Sequence, residues 1–358
     1  MNGPPPLTAA IPALPPLPSP DPEAIERSLE LLLGTLEVRP SRRNLLRSML
    51  ESIWALAREG AGSGDLKIVD AALGEMAEAF RVFIPYRNVR KVTMFGSART
   101  RPDDEVYVLA RDVAARLADA GWMVVTGAGP GIMAAGTEGA GRERSFGVNI
   151  RLPSEEGTNP FIAQDPKLVE MRYFFTRKLM LMKESHGYAF LPGGFGTLDE
   201  CYELLTLLQT GKAVPAPVVL VETDGGTYWH GWRRFLEEQV VRPGYVSPED
   251  LALFRVANSA EQAAQEILSF YRNYHSCRWV GDLLVLRVRV APSKSEMAEL
   301  NREFSDIVTS GSIRYASPLP PERADRDHLD LPRLALRFDR FHYGRLRLLI
   351  DAVNRYGD

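Results

Sequence analysis

The sequence predicts an α/β protein built on an open, doubly wound parallel sheet, with a helical region before it and a small α+β appendage after it. Short apolar runs typical of buried strands alternate with stretches of helical periodicity between about residues 88 and 274. Glycine-rich turns stand where several of these runs end. Such turns are typical of sheets that bind ligands at the carboxyl ends of their strands.

The composition favours a globular cytoplasmic protein. The chain has 358 residues and a formal net charge of -3, so it has no overall basic field to attract nucleic acid. Its two cysteines, Cys201 and Cys277, predict no disulfide framework, and its five histidines show no metal-ligand spacing. No apolar run approaches the roughly 18 residues of a membrane span. We therefore expect no metal, no nucleic acid and no membrane partner.

The first 87 residues contain two different kinds of sequence. Residues 1–21 are crowded with proline, which predicts a disordered arm; an inert tail and a segment for a proline-binding partner are both open. From Pro22 to about Val82, apolar residues recur at helical spacing. The stretches EVRPSRR and REGAGSGD interrupt this pattern, so residues 22–87 are predicted to form about three helices.

Residues 88–274 are predicted to form the sheet and its flanking helices. VRKVTMFGSA is an apolar run that stops at Gly-Ser, followed by a helix over roughly residues 103–120. Two segments repeat the order strand, glycine turn, helix: GWMVVTGAGPGIMAAGTEGA and GYAFLPGGFGTLDECYELLTLLQTG. The remaining predicted elements are the strands SFGVNIRLP, KLVEMRYF and APVVLVE and the helix TRKLMLMKES.

Residues 275–358 are predicted to form a separate α+β appendage. WVGDLLVLRVRVA is strand-like, and SKSEMAELNREFSDIV is helical. GSIRYASPL and RLALRFDR are again strand-like, and HYGRLRLLIDAVNRYG is helical. The predicted order is therefore β-α-β-β-α. Such an appendage could pair with a second copy across a dimer or act as a regulatory binding module.

Three of the predicted strands end in glycine turns: FGSART, TGAGPGIM and PGGFGTLDE. These turns should meet at one edge of the sheet. Backbone N–H groups at helix N-termini favour an anion, and glycine lets the backbone approach a phosphate closely. A plain tight turn without a ligand is the alternative for each motif. The candidate phosphate or substrate contacts here are Ser97, Gly129, Gly131, Gly193, Gly194, Gly196 and Thr197.

Carboxylates follow the third turn. Asp199, Glu200 and Glu203 lie in the first turn or so of the predicted helix, and Glu200 and Glu203 project from the same face. Interaction with the helix dipole is an adequate explanation for Asp199. Two acidic residues beside a phosphate would repel it, so at least one of them is predicted to engage ribose hydroxyls or a developing cation.

Arg177 and Lys178 form a second, cationic element. They begin a predicted helix directly after a strand, which places them near the same edge of the sheet. A guanidinium group there could bind a phosphate or a carboxylate. Cations at a helix start oppose its dipole, which favours a functional role over a solvated face.

Four motifs in this order resemble the LOG (Lonely Guy) family, often labelled "possible lysine decarboxylase": GAGPGIM, SFGVNIRLPSEEGTNPF, MRYFFTRKLMLMK and LPGGFGTLDECYELLTLLQTGK. The resemblance covers roughly Val89 to Tyr271. It implies a Rossmann-like fold, a homodimer with sites near the subunit interface and a phosphoribohydrolase. Such an enzyme uses water to release the free base and ribose 5-phosphate from a nucleoside 5′-monophosphate. In plants and many bacteria the base is a cytokinin.

The resemblance also implies roles for individual residues. Gly193, Gly194, Gly196 and Thr197 would hold the 5′-phosphate, and Arg177 and Glu200 would be the catalytic pair, without any cofactor. We expect Glu200→Gln or Arg177→Ala to abolish turnover while the fold survives, because neither is predicted to be a core residue. A broad nucleoside monophosphate nucleosidase of salvage and a nucleotide-sensing protein without catalysis are the alternatives.

The chain departs from the family pattern in the second turn. Ala128 replaces the middle glycine of G-G-G-P-G, and Ala134 stands where larger members carry a glutamate. Glu138, one helical turn further on, is a candidate substitute. Pyridoxal chemistry, which the decarboxylase label would need, is not predicted, because Lys178 and Lys183 have no recognisable pyridoxal context.

Overall fold

The computed structural model describes residues 22–35, 40–151 and 157–356, so the proline-rich arm predicted at 1–21 lies outside the described residues. The chain divides into two compact units, residues 1–73 and residues 74–358. The described part of the first unit is helical, which agrees with the helices predicted before the sheet. The N-terminal helices are α1 (Pro22–Thr35), α2 (Pro40–Arg58) and α3 (Ser63–Phe83), of which α3 continues into the second unit.

The second unit contains a seven-stranded sheet in which every strand pairs in parallel with its neighbours. The strand order is β4-β3-β2-β1-β5-β6-β7. The strands are β1 (Lys91–Phe95), β2 (Met123–Thr126), β3 (Ser145–Ile150), β4 (Leu168–Met171), β5 (Gly187–Phe190), β6 (Val218–Val221) and β7 (Arg255–Ala257).

Helices cover both faces of this sheet. Successive residues of a strand point to opposite faces, so one strand contributes side chains to two apolar cores. On β1, Met94 belongs to the apolar core of one face and Phe95 to that of the other. The first core includes residues of α4 (Glu105–Asp119), α5 (Ile132–Ala140) and α9 (Ala260–Ser269), and the second includes residues of α6 (Phe174–Lys183), α7 (Phe195–Gln209) and α8 (Tyr228–Leu236). The predicted doubly wound α/β fold is confirmed.

The strand order reverses direction between β1 and β5. Strands β2 to β4 lie on one side of β1, and β5 to β7 lie on the other. In doubly wound sheets a crevice opens at such a reversal, outside the carboxyl ends of the strands. The turns after β1 and β5 therefore lie where ligands bind in this class of fold.

The C-terminal region forms a four-stranded antiparallel sheet in the order β10-β11-β9-β8. The prediction of a single strand in WVGDLLVLRVRVA was wrong, because two strands are joined there at Gly281 and Asp282. Gly281 has a φ of 63°, as tight hairpin turns require. The elements are β8 (Tyr274–Val280), β9 (Leu283–Val288), α10 (Lys294–Glu303), β10 (Arg314–Ala316), α11 (Pro320–Asp325), β11 (Arg333–Leu336) and α12 (Tyr343–Asn354).

The C-terminal sheet shares an apolar core with one face of the parallel sheet. Leu286 and Leu349 belong to the same buried cluster as Val113 and Ile267. Both sheets lie in the unit of residues 74–358. The boundaries at residues 88 and 275 stay predictions.

The described residues hold neither a helix able to cross a bilayer nor a cluster of potential metal ligands. No helix among them combines the length and the apolar character that a bilayer crossing requires. No group of three or more His, Cys, Asp or Glu side chains among them is arranged to hold a metal ion.

Candidate active site

A cavity of about 780 Å³ lies at the reversal of strand order, at the carboxyl ends of β1 and β5. Its walls come from the turn after β1, from α6 and from the turn that leads into α7. The cavity brings together most of the side chains and glycines that the sequence singled out. These are Ser97, Arg177, Lys178, Gly193, Gly194, Gly196, Thr197 and Glu200.

Backbone hydrogen bonds connect the three glycine turns. The N–H of Ser97, in the first turn, donates to the carbonyl of Pro192 in the third turn at 3.2 Å. The carbonyl of Ser97 accepts from the N–H of Ile132, directly after the second turn, at 3.0 Å. The predicted meeting of the turns at one edge is therefore confirmed.

Gly131 is required at its position by two independent features. Its φ is +64°, a conformation that L side chains rarely adopt. A Cβ atom there would lie 2.3 Å from the carbonyl oxygen of Ser97. Gly131 thus lets the second turn pack against the first, although it lines a neighbouring cavity of about 680 Å³ and not the main one.

We expect Gly131→Ala to destabilise the fold by several kcal/mol, because it combines the backbone strain with a clash against the Ser97 carbonyl. Gly141→Ala is the matched control, since Gly141 has a φ of 73° and open space around the missing Cβ. The control should lose only the backbone strain, about 1–3 kcal/mol. Urea unfolding of both variants measures the difference, and equal losses would contradict the tight packing of the turns.

Ala128 adopts the left-handed backbone conformation. The glycine that the family pattern has at this position would adopt it more easily. Ala128 is buried and has a φ of 61°. The side chain of buried Asn159 stabilises this turn by donating to the carbonyls of Ala128 and Gly129 at 3.0 and 3.1 Å. Gly129 is held in this way but does not line the main cavity. Asn159, thirty residues further on, was not among the predicted site residues.

The third turn leads into α7 through Gly194. Gly194 is the N-cap residue of α7 and has no side chain to cap the helix. The first turn of α7 contains no acidic residue. A Cβ at Gly193 would lie 2.2 Å from the hydroxyl oxygen of Thr197, so only glycine fits between the turn and the helix. Unpaired N–H groups at a helix start attract anions. This end of α7 is suited to bind a phosphate.

The acidic residues stand further into α7 than predicted. The helix begins at Phe195, so Asp199 and Glu200 lie in its second turn and Glu203 lies in the third. The carboxylates of Asp199 and Glu203 both contact the Lys178 ammonium, at 2.6 and 2.8 Å. Asp199 therefore lies beyond the first turn, where the helix dipole acts most strongly, and pairs with Lys178. Glu203 faces the same ammonium and is not among the residues that line the cavity.

Arg177 is buried, in contrast to the expectation that it would not be a core residue. It is the fourth residue of α6 and does not stand at the helix start. Its Nε donates to the carbonyl of Val148 at 2.9 Å, and its Nη2 lies 3.4 Å from the carbonyl of Gly127. The guanidinium group thus joins the ends of β2 and β3 while still lining the cavity.

Glu200 is half-buried and lines the cavity together with Arg177. Burial raises the pKa of the Glu200 carboxyl to about 7, against the opposing effect of the nearby Arg177 and Lys178. The carboxylates of Asp199 and Glu203 raise this pKa further. The carboxyl group therefore exchanges a proton near neutral pH, as a general acid or base must.

Tyr228 is a site residue that the sequence did not reveal. It begins α8, lines the cavity, and donates its hydroxyl hydrogen to the carbonyl of Gly193 at 2.7 Å. Phe174 and Phe195 also line the cavity, with 54% and 93% of their surfaces exposed. The cavity thus has a polar base of turns and an apolar, aromatic rim.

Glu138, the candidate substitute for the glutamate replaced by Ala134, lies in the neighbouring cavity. Its Oε2 accepts a hydrogen bond from the Tyr107 hydroxyl at 2.7 Å. Ala134 lines the same neighbouring cavity. Glu138 is not among the residues that line the main cavity.

The chain is similar to known proteins over part of its length. Residues 130–267 match the family model described as possible lysine decarboxylase. The probable cytokinin riboside 5′-monophosphate phosphoribohydrolase LOGL3 of Oryza sativa subsp. japonica is 33% identical over 99 residues, which are 28% of this chain and 44% of that protein. The chain thus spans less than half the length of this relative.

Two further similarities cover about half of the chain. The cytokinin riboside 5′-monophosphate phosphoribohydrolase of Mycobacterium tuberculosis is 28% identical over 161 residues, 44% of this chain and 83% of that protein. The molybdenum cofactor binding protein of Rippkaea orientalis is 19% identical, with a TM-score of 0.35 over 51% of this chain and 95% of that one. The chain is therefore similar to the possible lysine decarboxylase family over residues 130–267 and to these phosphoribohydrolases over part of its length.

Proposed function

We propose that the protein is a phosphoribohydrolase that cleaves the N-glycosidic bond of a nucleoside 5′-monophosphate. The observation that carries this proposal is Glu200, a carboxyl group with a pKa of about 7 in the same cavity as a helix start suited to phosphate. The names of the relatives support the same reaction. Gly193, Gly194 and Thr197 would hold the 5′-phosphate, and Glu200 would face the ribose.

The reaction needs a group that stabilises positive charge on the sugar. As the bond between C1′ and the base breaks, its electron pair leaves with the base and the ribose becomes oxocarbenium-like. The Glu200 carboxylate stabilises that cation and takes the proton of the water that forms the new C1′–O bond. The base gains a proton, and the products are free base and ribose 5-phosphate. Arg177 fixes the geometry at the ends of β2 and β3.

Release of a cytokinin is the narrower proposal, and a broad salvage nucleosidase is the second candidate. The aromatic rim favours the second one. Phe174 and Phe195 offer stacking surfaces that accept any planar base. None of the residues described as lining the cavity is an asparagine or a glutamine, the side chains that recognise adenine by paired hydrogen bonds.

A panel of substrates separates these candidates. Purified protein is incubated with AMP, isopentenyladenosine monophosphate, GMP and the pyrimidine monophosphates, and free base is measured by chromatography. The proposal predicts base release from at least one of them. Similar rates across the purines would support salvage, and a strong preference for the isopentenyl substrate would support cytokinin release. No base from any substrate would contradict hydrolysis.

A nucleotide-sensing protein without catalysis remains a separate candidate, because the C-terminal sheet shares a core with the nucleotide-binding unit. Tight binding without turnover, unchanged by Glu200→Gln, would favour it. We also propose a cytoplasmic homodimer, as the resemblance to the family implies. The exposed Phe174 and Phe195 at the cavity rim support a subunit interface near the site, and light scattering in solution tests it.

A further inference from the structure

Two hydrogen bonds, linked through the backbone at the start of α8, connect the end of β6 to the glycine turn before α7. In the second of them, the Tyr228 hydroxyl donates to the carbonyl of Gly193 at 2.7 Å. Burial raises the pKa of this hydroxyl, so it keeps its proton at neutral pH. Because Tyr228 is the first residue of α8, the position of the α8 N-terminus determines where this hydrogen bond holds the turn.

Glu222 holds the N-terminus of α8. This residue follows β6 directly and is 1% exposed. Its Oε2 accepts a hydrogen bond from the backbone N–H of Trp229 at 3.1 Å, and its own N–H donates to the carbonyl of Ala257 in β7 at 3.1 Å. Thr227, at the N-cap position, supplies no side-chain cap. A carboxylate anchored to the sheet therefore performs the capping.

The loop between β6 and α8 is shaped around this carboxylate. A Cβ atom on Gly226 would lie 2.9 Å from both Glu222 Oε2 and the Thr223 carbonyl oxygen, so a larger residue would force this loop to shift. The other oxygen, Oε1, lies 3.5 Å from Nε2 of His230 and makes no hydrogen bond within the described residues. A buried, half-bonded carboxylate is costly for stability alone.

We propose that Glu222 is a positioning residue that acts through Tyr228, and that the two set the affinity of the glycine turn for a phosphate group. The identity of the ligand as a phosphate monoester rests on the proposed function. A carbonyl oxygen turned toward the anion would repel it. The Tyr228 hydroxyl keeps the Gly193 carbonyl engaged, so that the turn presents its N–H groups to the phosphate.

Titration calorimetry with inorganic phosphate tests this proposal on the full chain. Tyr228→Phe and Glu222→Ala should each weaken phosphate binding about fivefold to tenfold, as the loss of one hydrogen bond predicts. Glu222→Gln keeps an oxygen that accepts from the Trp229 N–H and should bind within about twofold of the wild type. Tyr315→Phe is the matched control, because the Tyr315 hydroxyl donates to the Pro292 carbonyl at 2.6 Å in the C-terminal region. It should bind phosphate normally.

The phosphate probe separates this inference from the proposed reaction. If no nucleotide is hydrolysed but phosphate affinity follows the series above, the positioning role stands. If Tyr228→Phe binds phosphate as tightly as the wild type, or if the wild type binds none, the inference is overturned. If the Glu222→Ala variant does not fold, phosphate binding by Tyr228→Phe alone tests the proposal. Where turnover is found, Tyr228→Phe should raise KM at nearly constant kcat, and a lower kcat at constant KM would contradict the role.

Discussion

Glu200→Gln is expected to lower the turnover of a nucleoside 5′-monophosphate by about 10²–10⁴-fold, the usual contribution of a general acid or base. The amide has nearly the same shape but neither stabilises a cationic ribose by charge nor accepts a proton from water. Burial sets the pKa of Glu200 at about 7, so kcat/KM of the wild type should rise with pH through about 7 as the carboxylate forms. Stopped-time assays between pH 5 and 9 measure both effects.

Glu237→Gln is the control for this change. Glu237 is an exposed residue that pairs with Arg233 at 2.9 Å and is not among the residues lining the cavity. It should keep wild-type turnover and the same rise with pH. A Glu200→Gln variant with wild-type rates, or a wild type without a rising limb near pH 7, would assign the proton transfer to another group.

Arg177→Ala is expected to remove turnover and to destabilise the fold at the same time. The substitution leaves the carbonyls of Val148 and Gly127 without their guanidinium partner inside the protein. Unpaired buried groups of this kind cost about 1–3 kcal/mol each, so we expect a loss of about 2–6 kcal/mol for the two. Urea unfolding followed by the base-release assay measures both consequences.

Arg177→Lys distinguishes charge from geometry. Lysine keeps the positive charge beside Glu200 but has no planar fork to contact two carbonyls at once. It should therefore recover part of the stability and little of the turnover. An Arg177→Ala variant as stable as the wild type would contradict the anchoring role, and full activity in Arg177→Lys would contradict the need for a guanidinium group.

The parallel sheet and its glycine turns could be predicted because their signals are local. Each strand is a short apolar run, and each turn follows its strand directly, as in the stretch from β5 to Gly194. The hairpin at Gly281 and Asp282 was missed because apolar residues continue on both sides of those two residues. A two-residue turn within a long apolar run is the signal that would have revealed it.

The parts of the site that escaped prediction depend on tertiary contacts. Tyr228 lies on α8, the helix that follows β6. Its hydroxyl reaches the glycine turn after β5 only because β5 and β6 are neighbours in the sheet. The pairing of Lys178 with Asp199 joins two helices. Arg177 was not predicted to be a core residue, whereas two backbone carbonyls bind it inside the protein. The raised pKa of Glu200 likewise comes from burial, which only the fold determines.

The most direct measurement compares free adenine released from AMP and from adenosine by the wild type and by Glu200→Gln. We expect adenine and ribose 5-phosphate in equal amounts from AMP, much slower release from adenosine because the phosphate is missing, and loss of both reactions in the variant. Release of adenine from adenosine as fast as from AMP would contradict the phosphate-binding turn. Undiminished release by Glu200→Gln would contradict the central role of that carboxylate.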